Sequence, residues 1–512
     1  MDSLLSLNPA QQTAVTAGNG PILVLAGPGS GKTRVLTHRI AYLIHEKGIE
    51  PWRILAVTFT NKAAREIVQR LNILLEGEPQ GMTLGTFHAT CVRLLRRESA
   101  ALSQYDANFV IFDTDDQRRV IKAAMEDLQI SDSRYQPNRI LNYISNAKNE
   151  IISADEYSSY NLITEVTRRI YQRYQDILIA NNAMDFDDLL MNTVLLLDGN
   201  PEILEKYQRR YEYILVDEFQ DTNTAQYELL KRLADYNKNI FVVGDADQSI
   251  YRWRGADFRN IKRFESHFKK SQLILLEQNY RSTQIILDAA KAVIRQNIDR
   301  VDKALYTDRS GGERIRVSEA YTESEEASKV LETIMELESQ GVSPGDCAIM
   351  YRTNAQSRVF EDAFFTAKRG YRLVGATRFY GRREVKDIVA YLRIIYSPSD
   401  SVSFARIINT PPRGIGKKTL QSFLGWAKQN SWQPGEALLS LALAEDLEHP
   451  FTGRALRSLQ HIANKYASLV ELSKQVTVGD LMDTILAAID YQGYLDDGTE
   501  VGRDRWANVM EL

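Results

Sequence analysis

The sequence predicts an α/β protein built on a parallel sheet, with a phosphate-binding loop at the end of its first strand. Apolar, β-rich runs recur at PILVLAG (21–27), ILAVTFT (54–60), YILVDEF (213–219) and NIFVVGD (239–245), each followed by a polar or glycine-bearing loop and a helical pattern. Strands this continuously apolar are buried on both faces, the habit of parallel rather than antiparallel sheets. AGPGSGKT (26–33) stands between the first run and a helical stretch, and an acidic VDEFQD ends the third. Chemistry in such sheets gathers at the carboxyl ends of the strands.

The first loop is read as a P-loop. Its backbone N–H groups through Gly29, Ser30 and Gly31 can cradle phosphates at a helix N-terminus, Lys32 can reach the β/γ-phosphates, and Thr33 can hold Mg²⁺. Ala26 replaces the first glycine of the usual pattern, while Gly27 and Gly29 keep the loop permissive. Arg34 is grouped with these nucleotide-binding residues. In YILVDEFQD, Asp217 and Glu218 follow an apolar strand, so one carboxylate can bind Mg²⁺ while its neighbour orients and deprotonates water. Kinases rarely need that second carboxylate, whereas hydrolases do.

Between GTFHATCVRLLRR and DFDDLL, strand patterns give way to helical ones, and residues 106–186 read as a helical insertion. Asp113 or Thr114 can cap a helix with an acidic first turn; Val120, Ala124 and Leu128 recur at spacing four, as do Val166, Ile170 and Tyr174. The fourth strand leads into VGDADQSIYRWRGAD (243–257). Asp245, Asp247 and Gln248 suit a phosphate and metal site, with Gln248 placed to feel the γ-phosphate or the attacking water. Tyr251, Arg252, Trp253 and Arg254 suit stacking on bases and gripping a polyanion, so this loop is read as touching two ligands. In LEQNYRS (276–282), Tyr280 can stack on adenine and Arg281 can neutralise charge that develops during phosphoryl transfer.

A second α/β segment follows Arg281, with strands expected near RIRV (314–317) and CAIMYR (347–352) around a helix at about 323–339. After about residue 384 the pattern is helical, interrupted by NTPPRGIGKK (409–418), where Gly414 and Gly416 suggest a nest-like turn beside Lys417 and Lys418.

Composition narrows the class. With 512 residues the chain exceeds one ordinary core, and 44% hydrophobic against 25% charged residues is ordinary for a globular enzyme. The net charge of −4 gives no global sign of nucleic acid, so any such surface is local. Cys91 and Cys347 alone exclude a disulfide framework, a zinc ribbon and a four-cysteine cluster within these residues, and fit a reducing cytoplasm. Histidines 38, 45, 88, 267, 449 and 461 are scattered, and neither an export signal nor a membrane anchor is seen.

Together these segments resemble the UvrD/PcrA/Rep family of superfamily 1 DNA helicases. LNPAQQTAV (7–15), AGPGSGKT, AVTFTNKAAREI (56–67), GTFHATCVRLLRR (85–97), MDFDDLL (184–190), VDEFQDTN (216–223), VGDADQSIYRWRGAD, LEQNYRS and YRTNAQSR (351–358) occur in the family's order across essentially the whole chain. The resemblance implies a P-loop NTPase with two RecA-like parallel-sheet domains, each with a helical insertion. The first would comprise 1–105 and 187–280, with its insertion at 106–186; the second would comprise 281–383, its N-terminal part only, with an incomplete insertion at 384–512. It implies ATP and Mg²⁺ as cofactors and translocation 3′ to 5′ on single-stranded DNA.

By the same resemblance Gln11 reads the adenine edge, Lys32 and Thr33 meet phosphates and metal, and Asp217 and Glu218 meet metal and water. Gln248 couples the γ-phosphate to DNA, Tyr280 stacks on adenine and Arg281 is an arginine finger. Phe59, Asn61, Phe87, His88, Phe186, Tyr251, Trp253, Arg254 and Asn354 lie on the DNA track, where rings stack on any base at about 1–3 kcal/mol each. Expected partners are single-stranded and 3′-tailed duplex DNA and repair or replication proteins, for a monomer or a DNA-assembled dimer with no membrane attachment. The family's AKGLE-like and YVALTRA-like motifs have no counterpart in these residues. The expectation is therefore a truncated helicase with impaired coupling, or alternatively a module that binds ATP and single-stranded DNA without unwinding. A P-loop kinase or GTPase would leave the aromatic and arginine loop and GTFHATC unexplained.

Overall fold

Strands β1 (Ile22–Ala26), β2 (Ile54–Thr58), β3 (Thr83–Thr86), β4 (Val110–Phe112), β5 (Ala183–Asp185), β6 (Tyr213–Val216), β7 (Ile240–Gly244) and β8 (Gln272–Leu276) make up the described β-structure. The computed structural model describes residues 2–512 except 132, 251–256, 258, 298–302, 354–355, 375–380, 444–446 and 496–499. Two compact units are present: residues 1–312 with 390–489, and residues 313–389 with 490–512.

In the first unit six strands form one sheet in the order β3-β2-β6-β7-β1-β8, every neighbour parallel. The unbroken apolar runs have a direct cause, because successive strand residues enter opposite cores. Ile22, Val24 and Ala26 of β1 pack with Val35 and Ile40 of the helix Lys32–His45. Leu23 and Leu25 pack on the other side among Leu94, Leu189 and Leu230, from the helices Phe87–Arg97, Phe186–Gly199 and Thr224–Ala234. Full burial of each large aliphatic side chain stabilises by roughly 1.5–3 kcal/mol, so both faces contribute to holding the strand ends in register.

The stretch between β3 and β6 holds the helices Thr114–Asp127, Pro137–Asn149 and Leu162–Ala180 around their own core of Val120, Ala124, Ile144, Ile170 and Tyr174. Of the two caps the sequence offered, Asp113 is used, accepting from the backbone N–H groups of Asp115 and Asp116. β4 and β5, three residues each, pair in parallel at the two ends of this stretch. Strands so short leave no alternation to read.

A buried lysine joins these helices to the sheet domain. Lys148 Nζ lies 2.8 Å from Asp185 Oδ2 and 2.7 Å from Asp188 Oδ1, with all three side chains almost wholly out of solvent. Tyr174 donates its hydroxyl to Asp185 Oδ2 at 2.8 Å. Asp185 and Asp188 also form the capping box that starts the helix Phe186–Gly199. Burial, then the neighbouring Asp185 charge, pushes the Asp188 carboxyl up to about 6.

The described residues within 390–489 are largely helical, with Phe423 stacked on Phe404 and Phe451 and Trp426 tilted against it as an aromatic centre. The guanidinium of Arg393 reaches Asp116 Oδ2 at 2.8 Å and the Ile111 carbonyl at 2.6 Å, so these helices rest on the earlier helical stretch within the first unit. Residues 281–312 also group with this unit.

The second unit contains the expected helix, Glu323–Ser339, begun by a Thr322 cap and an acidic first turn, and a further helix, Ser357–Thr366. The strands expected at 314–317 and 347–352 are not formed; both segments are irregular. Ile315, Val317 and Met350 stand exposed, and among the described residues neither segment pairs with a strand. β-Propensity without a partner does not make a ladder.

Lys148→Met should destabilise the protein by about 3–5 kcal/mol, because it leaves the Asp185 and Asp188 charges buried without a cation. The combined variant with Asp185→Asn and Asp188→Asn should recover most of that loss. Urea unfolding followed by tyrosine and tryptophan fluorescence measures both; an unchanged midpoint in Lys148→Met would contradict the buried ion pair.

Candidate functional site

β1 lies between β7 and β8, so the loops leaving these three strands emerge side by side. The loop after β1 turns into the helix Lys32–His45 through Gly29 at φ +66° and Gly31 at φ +90°, conformations that favour glycine. At Gly29 a side chain would also meet Asn279, 2.7 Å from where its Cβ would stand. Ser30 donates its hydroxyl to the Gly27 carbonyl at 2.7 Å, and Lys32 is the first residue of the helix, largely buried. The backbone N–H groups at this helix start have no intrahelical acceptor and suit an anion.

Gln11 is buried beside this loop. Its amide nitrogen donates to the Ser30 carbonyl at 2.9 Å and its amide oxygen accepts from the Asn8 N–H at 3.1 Å. In this arrangement Gln11 braces the loop, and its adenine contact expected from sequence would use what hydrogen-bonding capacity remains. Arg34, grouped with the nucleotide-binding residues by sequence, donates from one guanidinium nitrogen to the Ser6 carbonyl and hydroxyl at 2.9 and 2.8 Å.

The acidic loop after β6 meets the P-loop directly. Thr33 donates its hydroxyl to Asp217 Oδ2 at 3.2 Å, which brings together the two residues read as metal ligands. Asp217 is 2% exposed. Burial, then the Glu218 charge, pushes its carboxyl up to about 6; the same two causes push Asp221 up to about 7. Two oxygen donors of this kind suit a hard divalent cation that keeps most of its waters. Glu218 sits at φ +50°, a backbone position uncommon for a residue with a side chain. Gln220 Nε2 donates to Glu218 Oε2 at 2.8 Å, and Gln220 Oε1 accepts the Asp245 N–H at 2.9 Å, so one buried amide ties the acidic loop to the loop after β7.

Gln248 does not face the P-loop through a free amide. It donates to Asp245 Oδ2 at 2.7 Å, while Lys303 pairs with the same carboxylate and lies 3.4 Å from Asp247 Oδ2. To reach a γ-phosphate it must leave Asp245. In the segment after β8, Tyr280 donates its N–H to the Gly29 carbonyl at 3.0 Å and leaves its ring 44% exposed, as a stacking platform requires. Asn279 Nδ2 donates to the Pro28 carbonyl at 2.5 Å, and its amide oxygen accepts the N–H groups of Arg281 and Ser282 at 2.8 and 2.7 Å. Asn279 therefore fixes Arg281 against the phosphate loop.

The aromatic candidates separate by burial. Phe186 is 42% exposed at the start of its helix, and His88 meets it edge-on with ring centroids 5.6 Å apart. Burial pushes the His88 imidazole down to about 4, so it is neutral at neutral pH. Phe59 is half-buried and Asn61 exposed, on either side of the Thr60 cap of the helix Asn61–Leu74. Phe87 is a correction: at 3% exposure it belongs to the core with Cys91 and Leu94, and no face of its ring is open to a base. Tyr251, Trp253, Arg254 and Asn354 lie outside the described residues. Sequence reasoning missed Gln220, Asn279, Lys303 and Lys148, although the first two stand inside quoted motifs. No helix among the described residues is long and apolar enough to cross a membrane, and no cluster of three or more His, Cys, Asp or Glu suited to a metal occurs among them.

Two family models match this chain: the UvrD/REP helicase N-terminal domain over residues 7–269 and the UvrD-like helicase C-terminal domain over residues 274–450. The chain is similar to the ATP-dependent DNA helicase PcrA of Staphylococcus epidermidis, 42% identical over 513 residues that cover 99% of this chain and 69% of that protein. It is similar also to the PcrA of Staphylococcus aureus, 43% identical over 521 residues that cover 100% of this chain and 70% of that protein.

The raised Asp217 pKa has a defined consequence for stability. A carboxyl that titrates near 6 when folded and near 3.8 when unfolded stabilises the fold below the unfolded value, and that contribution is lost as pH rises through about 6. In EDTA, Asp217→Asn should therefore unfold at a higher temperature than the wild type at pH 7.5, with the gap closing as pH falls toward 4. A wild type more heat-stable than the variant at pH 7.5 would contradict the burial account.

Proposed function

The chain belongs to the UvrD/REP helicase family of ATP-dependent DNA helicases, and from that premise we propose that it uses ATP to move 3′ to 5′ along single-stranded DNA. The observation that carries the reading is the 3.2 Å contact between Thr33 and Asp217, which joins a phosphate loop to a buried acid beside Glu218. Mg²⁺, held by the Thr33 hydroxyl and the Asp217 carboxylate, would draw charge from the phosphate oxygens. Gly27, Gly29, Ser30 and Gly31 cradle the phosphates and Lys32 neutralises them. Glu218, steadied by Gln220, orients and deprotonates the attacking water. Tyr280 stacks on the adenine, and Arg281, aimed by Asn279, meets the charge that develops on the γ-phosphate.

DNA is proposed to meet Phe186, His88, Phe59, Asn61, Tyr251, Trp253 and Arg254, and Asn354 is proposed as a further DNA contact. Gln248, released from Asp245 when the γ-phosphate arrives, reports the nucleotide state to that track. The setting proposed is cytoplasmic DNA repair or replication. An arginine finger is worth about 10³–10⁵ in rate, and that is the role proposed for Arg281.

Single-stranded DNA should raise ATP hydrolysis in the wild-type chain, and Lys32→Ala should abolish hydrolysis in a phosphate-release assay; substantial turnover in the variant would contradict the site. A 3′-tailed duplex should be separated only when ATP is supplied, and strand separation that does not depend on ATP would reject the reading. Trp253→Ala should weaken single-stranded DNA binding by about 1–3 kcal/mol without sequence preference and leave nucleotide binding nearly intact. Fluorescence anisotropy with labelled oligonucleotides measures this, and unchanged affinity would place Trp253 in packing.

A further inference from the structure

At the end of the helix Pro137–Asn149, two consecutive residues serve two different elements. Lys148 holds Asp185 and Asp188, the capping pair around Phe186, so the backbone that carries the exposed ring is anchored to this helix end. The next residue, Asn149, accepts on its amide oxygen a hydrogen bond from the amide nitrogen of Asn223, and both side chains are buried. Beside this pair, Thr224 donates its hydroxyl to Glu150 Oε1 at 3.0 Å. Asn223 is the cap of the helix Thr224–Ala234 and closes the loop that begins at Asp217.

That loop is stiff. The Asp221 N–H donates to the Glu218 carbonyl at 3.0 Å, the Thr222 N–H and hydroxyl both reach the Phe219 carbonyl at 3.2 and 2.7 Å, and Asn260 Nδ2 grips the Thr222 carbonyl at 2.9 Å. A displacement of Asn223 is thus passed to Glu218 through consecutive hydrogen-bonded turns. A buried amide pair resists separation because each partner would lose its bond where water cannot replace it.

We infer that Asn149 is a positioning residue through which DNA held at Phe186 is felt at the acidic loop 217–223, by way of the Lys148 anchor on one side and Asn223 on the other. The inference rests on the proposed placing of DNA at Phe186. It supplies a second route between DNA and nucleotide, separate from Gln248, and it makes the helical stretch between β3 and β6 part of that route. Coupling of this kind requires an element that both ligands bias, and the helix end with its two buried attachments is that element.

The test uses the 512-residue chain with oligo(dT). Asn149→Ala is expected to bind oligo(dT) within threefold of wild type, to lose at least tenfold in DNA-stimulated kcat, and to lose the DNA-dependent protection of residues 217–226 from hydrogen exchange. The exchange readout decides even where DNA does not raise wild-type turnover. Protection and stimulated kcat within twofold of wild type would overturn the inference. Phe186→Ala separates the two layers: weakened oligo(dT) binding upholds the DNA placing, so that intact coupling in Asn149→Ala then overturns the inference alone, whereas unchanged binding in Phe186→Ala overturns both. Should Asn149→Ala unfold, Thr224→Val, which breaks the bond to Glu150 and a 3.3 Å bond from Arg263 Nη1, is expected to lower stimulated kcat and exchange protection at least threefold, and no change in either would overturn the inference.

Discussion

Parallel pairing of β1 with both β7 and β8 is the constraint on which the first unit depends. Parallel neighbours place all their carboxyl ends on one edge, so the phosphate loop, the Asp245–Gln248 turn and the Gln278–Arg281 segment are brought together before any side chain acts. The sheet keeps that arrangement because both faces are buried. Small amides then set the finer distances: Gln11 and Asn279 brace the phosphate loop from two sides, and Gln220 spans the ends of β6 and β7.

The edge carries unfavourable charge that the fold tolerates for a reason. Asp217 and Asp221 are driven toward protonation by burial and by Glu218, a state that a divalent cation would reverse by supplying compensating positive charge. Lys303 pairs with the buried Asp245 as a cation carried by the chain itself. Perturbed acids of this kind cluster where chemistry occurs.

Legibility followed how local the physics is. The phosphate loop was readable because strand, glycines, Lys32 and Thr33 are adjacent in the chain and the chemistry needs them so. The burial of Phe87 and the exposure of Phe186 were not, since both rings open a helix after a polar residue and only the tertiary packing separates them. Lys148 looks like any helix-end lysine until Asp185 and Asp188 close on it from a distant segment. β4 and β5 were too short to register, and RIRV and CAIMYR had the composition of strands without a neighbour to pair with. The acidic pair at 217–218 was legible, but its attachment to Asn149 was not, because one asparagine among many carries no sign of its partner.

The central claim is that the nucleotide edge and the DNA track are one coupled system. Its most direct test is the affinity of this chain for oligo(dT) measured by anisotropy without nucleotide, with ADP and with a non-hydrolysable ATP analogue. The account predicts that affinity changes by about 5–150-fold between nucleotide states, with the reciprocal change in nucleotide affinity when DNA is bound. Tight oligo(dT) binding that is the same in all three states would contradict it.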